Sequence, residues 1–144
     1  MGGVVISRLD IVVRSTEVDT LGHVNNSVYQ QWMEWGRFEW VRHADTDFSK
    51  LGDPSLTMVV VHVSLDYRHE SRRDDRMVIE TSLSRLGTKS ITYRQRILHA
   101  NGVVAAEGTV VLAMFDKQTR RSAEIPPGFR ATLEPLVVSD VAGP

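Results

Sequence analysis

The sequence of 144 residues contains no cysteine. Without a thiol, the chain can form no disulfide, offers no thiolate ligand to zinc and has no cysteine nucleophile. This absence fits a reducing compartment. The opening segment MGGVVIS has neither the basic nor the apolar region of a signal peptide. Together these features predict a cytoplasmic protein.

Long apolar runs and an excess of one charge are also absent. No segment approaches the roughly 20 apolar residues that a membrane span requires. Seventeen basic and eighteen acidic side chains give a net charge of −1, so we expect neither a membrane nor a nucleic acid as partner. The chain is long enough for a substantial core. A single domain over residues 1–144 is the simplest organisation.

One long helix is predicted near the middle of the first half. In the segment SVYQQWMEWGRFEWVRH, Val28, Trp32, Gly36 and Trp40 recur every fourth residue. Such spacing places all four on one face of an α-helix. Its tryptophans are expected to belong to the core.

Alternating apolar residues predict five strands. SRLDIVVR precedes the helix, and after it come MVVVHVSLDYRHE, RMVIETSLSRLG, SITYRQRILHA and VVAAEGTVVLAMFD. In the second strand the alternation puts one set of side chains on the buried face: Val59, Val61, Val63, Leu65 and Tyr67. The tail, residues 117–136, is predicted to be a loop followed by a short helix. This order predicts an α+β fold in which the helix lies across an antiparallel sheet. An open sheet edge favours pairing with a second copy.

A candidate site lies in EVDTLGHVNNSVY, between the first strand and the helix. Free N–H groups at a helix N-terminus can polarise a carbonyl oxygen. Asp19, across the turn made by Gly22, could then act as base or nucleophile in acyl transfer. The alternative is a capped turn with Asn25 or Asn26 as the N-cap. Asp19 and His23 lack a third ligand, so we expect no metal.

The segment DTLGHVNNSVYQQWMEWGRFEW resembles the signature of hotdog-fold acyl-CoA thioesterases, the 4-hydroxybenzoyl-CoA thioesterase-like group. The matching positions are Asp19, Gly22, His23, Val24, Asn25, Asn26, Tyr29, Glu34 and Arg37. The similarity continues through AAEGTVVLAMFDKQTRRSAEIP and so extends from Leu9 to Pro126. It implies a hotdog fold, with a long central helix wrapped by a five-stranded antiparallel sheet.

The resemblance also implies roles for single residues. Asp19 would be the catalytic carboxylate, and the backbone N–H of Asn26 would hold the thioester oxygen. Other matched positions would bind substrate or shape the loop: Gly22, His23, Asn25 and Tyr29. Asn25 would either orient water or substrate or only cap the helix. Glu34 and Arg37 would form a surface or interface pair. A thiolate leaves readily because thiol pKa values are about 8.5, so a strong general acid is not obligatory. No cofactor is expected.

The implied substrate is an acyl-CoA or an acyl-carrier-protein thioester, and the implied assembly is a homodimer or a homotetramer built as a dimer of dimers. A substrate tunnel would pass between subunits, lined by helix aromatics and by the strand from Met58 to Tyr67. A hotdog hydratase or dehydratase and a non-catalytic acyl-thioester-binding protein are the alternatives.

Three further groups of residues are candidates for a functional role. Arg72 and Arg73 either contact the phosphates of coenzyme A or belong to a solvated turn. Lys117, Arg120 and Arg121 form a similar basic cluster. HVSLD contains His62, Ser64 and Asp66, but alternate strand residues lie nearly 7 Å apart, so a hydrolytic triad is rejected.

Overall fold

The computed structural model describes residues 6–44, 46 and 51–138. A long helix, α1 (Asn26–His43), lies on an antiparallel sheet, and a short helix, α2 (Pro127–Leu133), follows the last strand. The six strands are β1 (Ile6–Val12), β2 (Leu56–Tyr67), β3 (Arg76–Leu86), β4 (Ser90–His99), β5 (Val104–Asp116) and β6 (Arg121–Ser122). Their order is β1-β3-β4-β5-β2, and β6 pairs with the end of β5.

The predicted α+β hotdog architecture is confirmed. The predicted number of strands is one too few, because β6 lies in the tail that the sequence predicts to be a loop. Its two residues pair with Phe115 and Asp116. A strand of this length shows no alternation of apolar and polar side chains, so the sequence pattern gives no sign of it.

Helix α1 packs across β1, β3 and β4. Trp32 and Trp40 are fully buried, as expected for core residues. Gly36 is buried against the sheet, and an added Cβ there would lie 2.5 Å from Cγ2 of Ile79. Glycine is needed here because the side chains of Ile79, Thr81 and Gln95 on the sheet leave no room for a Cβ.

A buried glutamine links β4 to α1. Nε2 of Gln95 donates to the backbone oxygen of Met33 over 2.7 Å and to Oγ1 of Thr81 over 2.9 Å. Its Oε1 accepts a hydrogen bond of 3.1 Å from the guanidinium of Arg37. Among the described residues, Arg37 and Glu34 form no direct surface pair within one chain, and a pair of these residues at a subunit interface stays a prediction. Within the described ranges, Glu34 acts on Arg37 only as a nearby charge.

The predicted buried face of β2 is wrong in its first half. Val60 pairs with Leu112 and Val63 pairs with Val110. Since opposing residues share a face of the sheet, these two valines lie on the same face of the sheet as α1. The register shifts between Val60 and His62, so Val61 has no opposite residue and Val59 faces outward. A run of valines hides this bulge because either register presents a valine to the core.

Strand β2 forms one edge of the sheet and lies beyond the cover of α1. As a result, four of its valines are more than a third exposed: Val59, Val60, Val61 and Val63. A groove separates β2 from α1 and contains two adjoining cavities of about 420 and about 300 Å³. Among the described helices, none is long and apolar enough to cross a membrane.

Candidate active site

The segment that carries Asp19 is a tight turn closed by its own backbone. The amide of Asp19 donates to the oxygen of His23 over 2.8 Å, and the amide of Gly22 donates to the oxygen of Asp19 over 3.0 Å. Gly22 has φ +83°, a left-handed conformation that glycine adopts without strain. Val18 and Val24 form a bridge on either side. The turn therefore returns the chain to the start of α1.

Only one of the two carboxylate oxygens of Asp19 is used to hold this turn. Oδ1 accepts hydrogen bonds from the amides of Leu21 (2.9 Å) and His23 (3.2 Å). Oδ2 makes no hydrogen bond with any residue that the structure describes, and the side chain is exposed. The turn thus fixes the orientation of the Asp19 carboxylate and leaves Oδ2 without a hydrogen bond to the described residues.

Helix α1 begins with a side-chain cap and a free amide. Oδ1 of Asn25 accepts a hydrogen bond of 3.0 Å from the amide of Ser27, which confirms the predicted N-cap. The amide of Asn26 has no hydrogen-bond partner among residues 6–44, 46 and 51–138. The helix dipole adds partial positive charge at this amide. An oxygen that develops negative charge would be stabilised there.

Glu17 is a residue of this site that sequence reasoning missed. Its buried carboxylate accepts hydrogen bonds from the indole of Trp32 (2.9 Å) and from the amide of Arg14 (2.7 Å). Its backbone oxygen accepts from the amide of Asn25 over 2.9 Å. Glu17 therefore fixes the turn to the helix. No local pattern distinguishes it from a solvated acidic residue, because its partner Trp32 is fifteen positions away.

A cavity of about 300 Å³ opens beside the start of α1. Its wall includes Asn26, Tyr29 and Tyr67; Asp19 does not line it. The hydroxyl of Tyr67 donates to the oxygen of Asn26 over 3.2 Å. The hydroxyl of Tyr29 donates to Oγ of Ser71 over 3.1 Å, and burial raises the pKa of Tyr29. The phenol of Tyr29 therefore stays neutral near the free amide.

The predicted phosphate-binding arginines have acidic neighbours. Glu70 contacts both His23 (Nε2 to Oε2, 2.6 Å) and Arg72 (NH2 to Oε2, 2.9 Å). Arg73 lies 3.6 Å from the carboxylate of Asp74. Glu70 thus joins the turn of His23 to the β2–β3 connection, a link across 47 residues that the sequence pattern did not indicate.

The rejected triad and the discounted metal site gain no support from the geometry. His62, Ser64 and Asp66 are all exposed on β2. In the described part of the chain, no cluster of three or more His, Asp or Glu side chains is arranged to hold a metal ion.

Comparisons with known proteins agree with this fold. The sequence pattern of the thioesterase-like superfamily matches residues 13–133. The chain is 28% identical over 128 residues to the long-chain acyl-CoA thioesterase FadM of Escherichia coli, covering 88% of this chain and 96% of that protein. It is 26% identical over 121 residues to the acyl-CoA thioesterase YbgC of Haemophilus influenzae, covering 83% and 88%. The solved structure of a predicted thioesterase from Bacillus stearothermophilus has a TM-score of 0.79 at 30% identity, covering 95% and 100%.

A long helix across an antiparallel sheet, together with these relatives, places the chain among the hotdog-fold thioesterases. The chain belongs to the thioesterase-like superfamily. The predictions of the family, of the fold and of an enzyme that hydrolyses thioesters are confirmed. The roles of single residues stay predictions.

Proposed function

We propose that the protein hydrolyses an acyl-CoA thioester with Asp19 as its catalytic carboxylate and the amide of Asn26 as its oxyanion hole. The observation that carries this proposal is the unpaired amide of Asn26 at the start of α1, next to a turn that leaves Oδ2 of Asp19 free. A carbonyl oxygen bound by that amide becomes more electrophilic at carbon. The relatives FadM and YbgC are named acyl-CoA thioesterases, which supports coenzyme A as the thiol of the substrate.

Two routes are compatible with these groups. Asp19 can take a proton from water, whose oxygen attacks the carbonyl carbon and expels the coenzyme A thiolate. Alternatively, the carboxylate attacks the carbon itself, and water then hydrolyses the resulting anhydride. Both routes give a free acid and a free thiol. The thiolate, with a conjugate-acid pKa of about 8.5, needs no strong general acid to leave.

Other residues near Asp19 and Asn26 have supporting roles in this proposal. His23, held by Glu70, and Gly22 shape the loop that orients Asp19. Asn25 caps the helix and so fixes the amide of Asn26, and Tyr29 lines the adjoining cavity. No metal or cofactor takes part in the proposed reaction. Arg72 and Arg73 would meet the phosphates of coenzyme A at the outer end of the site.

A homodimer, or a dimer of such dimers, is the proposed assembly. Strand β2 supports it because it is an edge strand of twelve residues with exposed valines, the kind of edge that pairs with another chain. Pairing there would place a second subunit over the groove beside α1 and enclose the substrate tunnel. We further propose a single domain over residues 1–144, working in the cytoplasm.

Thiol release from a panel of acyl-CoA esters, measured with wild type and Asp19→Asn together, tests the catalytic assignment. Asparagine keeps the Oδ1 acceptor for Leu21 and His23 but removes the charge. We expect the turn to persist and kcat to fall about 10²–10⁴-fold. Asp10→Asn, an exposed carboxylate on β1, is the matched control. Retained activity, or loss of the native circular dichroism spectrum, in Asp19→Asn contradicts the assignment.

The same panel separates the alternative functions. Binding of the esters without release of thiol by wild type would indicate a non-catalytic acyl-thioester-binding protein. Loss of the absorbance of an enoyl thioester, again without thiol release, would indicate a hydratase.

A further inference from the structure

The larger cavity of the groove between α1 and β2 has a mostly apolar wall. Its volume is about 420 Å³, and its apolar lining consists of Phe38, Val41, Met58, Val60 and Leu112. Three polar residues share this wall: Glu34, Arg37 and Tyr93. Such a lining suits an acyl chain, but a plain hydrocarbon would leave the polar groups without a partner.

Tyr93 carries a buried hydroxyl that no neighbouring residue satisfies. The side chain is 1% exposed, and its ring packs edge to face on Trp40 at 5.0 Å. The hydroxyl has no hydrogen-bond partner within the ranges that the structure describes. Burial raises the pKa of this phenol, so it remains a neutral donor. A buried donor without an acceptor destabilises the folded state, which a ligand oxygen would relieve.

Arg37 provides a second donor on the same wall. Its guanidinium is oriented by Oε1 of Gln95 over 3.1 Å and has further N–H groups. Burial lowers the pKa of Arg37, while the charge of Glu34 raises it. With Glu34 on the same wall, the two charges offset each other. For a ligand carboxylate, repulsion from Glu34 would therefore offset the attraction to Arg37, and a neutral oxygen fits better because it costs less to remove from water.

We propose that this cavity binds a distal part of the acyl group that carries a neutral oxygen, such as a hydroxyl, which accepts a hydrogen bond from Tyr93 beside Arg37. The inference rests on the proposed function, because it places the thioester at Asn26. Arg37 follows Asn26 by about three helical turns, which corresponds to roughly 16 Å along α1. An extended chain advances roughly 1.2 Å per bond. The oxygen then lies near the far end of a chain of about twelve carbons.

Three coenzyme A esters of equal chain length test this specificity: dodecanoyl, ω-hydroxydodecanoyl and 3-hydroxydodecanoyl. We expect wild type to have the highest kcat/KM with the ω-hydroxy ester. Tyr93→Phe removes only the hydroxyl and should lower the ratio of kcat/KM for ω-hydroxy over dodecanoyl about tenfold. Thr109→Val, which removes a hydroxyl from the outer face of β5, should leave that ratio unchanged.

A binding measurement separates this inference from the proposed function. Calorimetric titration of Asp19→Asn and of the double variant Asp19→Asn/Tyr93→Phe with the same esters reports the preference without turnover. If wild type releases no thiol from any ester, the proposed function fails, and the titration still decides the specificity. The inference is overturned if the ω-hydroxy ester has no advantage, if the 3-hydroxy ester is preferred, or if Tyr93→Phe keeps the wild-type ratio.

Stability of the ligand-free protein provides an independent check. Because the Tyr93 hydroxyl has no partner in the described structure, Tyr93→Phe should unfold at the same or a higher urea concentration than wild type. A clear loss of stability would mean that the hydroxyl already has an internal partner, and would count against a role in binding substrate.

Discussion

The buried carboxylate of Glu17 accepts a hydrogen bond of 2.9 Å from the indole of Trp32. Through this contact, the turn that carries Asp19 is fixed to the second turn of α1. The other carboxylate oxygen of Glu17 accepts from the amide of Arg14 over 2.7 Å. Two donors to a buried carboxylate offset the cost of removing it from water. The position of Asp19 therefore depends on a residue that does not itself face the proposed substrate.

Glu17→Gln should weaken both stability and catalysis. A glutamine has one acceptor oxygen, so its NH₂ group must face either the indole N–H of Trp32 or the amide of Arg14. We expect the free energy of unfolding to fall by about 1–3 kcal/mol and kcat to fall at least about tenfold, because Asp19 two residues away is displaced. Urea unfolding and thiol release measure the two effects.

The matched control for Glu17→Gln is Glu124→Gln, at an exposed carboxylate near α2. This control should change neither the free energy of unfolding nor kcat. Unaltered kcat in a measurably destabilised Glu17→Gln would show that Glu17 supports the fold without positioning Asp19.

Gly36→Ala should destabilise the protein although alanine is the better helix former. The added Cβ would lie 2.5 Å from Ile79, 2.8 Å from Oγ1 of Thr81 and 2.9 Å from Nε2 of Gln95. These atoms belong to β3 and β4, so the helix must move away from the sheet. We expect a loss of about 1–3 kcal/mol in the free energy of unfolding, measured by urea denaturation.

Gly128→Ala is the control for this prediction, because its Cβ would meet nothing within 4 Å and the residue lies in α2. At this position only the higher helix propensity of alanine matters, so the free energy of unfolding should stay the same or rise by up to about 1 kcal/mol. If Gly36→Ala behaved like Gly128→Ala, the close packing of α1 on the sheet would be contradicted.

The elements with a clear period could be predicted from the sequence. Helix α1 and strands β3, β4 and β5 lie where the spacing of apolar residues places them, since burial on one face produces that spacing. The bulge at Val61 could not be predicted, because three consecutive valines satisfy either register. Strand β6 could not be predicted either, because two residues have no period.

The contacts of the candidate site also divide into local contacts, which the sequence predicts, and contacts between distant residues, which it does not. The cap by Asn25 and the turn at Gly22 are local, since each is decided by residues within four positions, and both were visible in the sequence. The contacts of Glu17 with Trp32 and of Arg37 with Gln95 join distant parts of the chain. Such contacts follow from how α1 lies on the sheet. Spacing along the sequence pointed instead to the nearer Glu34 as the partner of Arg37.

Val61→Glu should prevent dimer formation if β2 is the interface. Val61 is 58% exposed at the bulge of this edge strand, and a charge at an edge opposes pairing with a second strand. We expect a folded monomer by light scattering, and lower activity because the groove beside α1 loses its cover. Val103→Glu introduces the same charge at a residue that is 42% exposed in the β4–β5 turn, and should remain dimeric. A dimeric Val61→Glu would argue for a different interface.

Replacing both Arg72 and Arg73 by glutamine should raise KM for an acyl-CoA ester about three- to tenfold and change kcat little, because the lost charges would contact only the phosphates of coenzyme A. Both side chains are more than 60% exposed, and such contacts weaken as salt rises. Wild-type KM should therefore increase with ionic strength more steeply than that of the variant.

An acyl-pantetheine ester, which lacks the nucleotide phosphates, separates phosphate binding from an indirect effect through Glu70 and His23. With this substrate the double variant and wild type should have the same KM. Arg120→Gln/Arg121→Gln, in the second basic cluster, is the control for net charge and should leave KM for the coenzyme A ester unchanged. An unchanged KM in the Arg72 and Arg73 variant would exclude these arginines from the phosphate site, and an equal rise with acyl-pantetheine would assign the effect to the turn of His23.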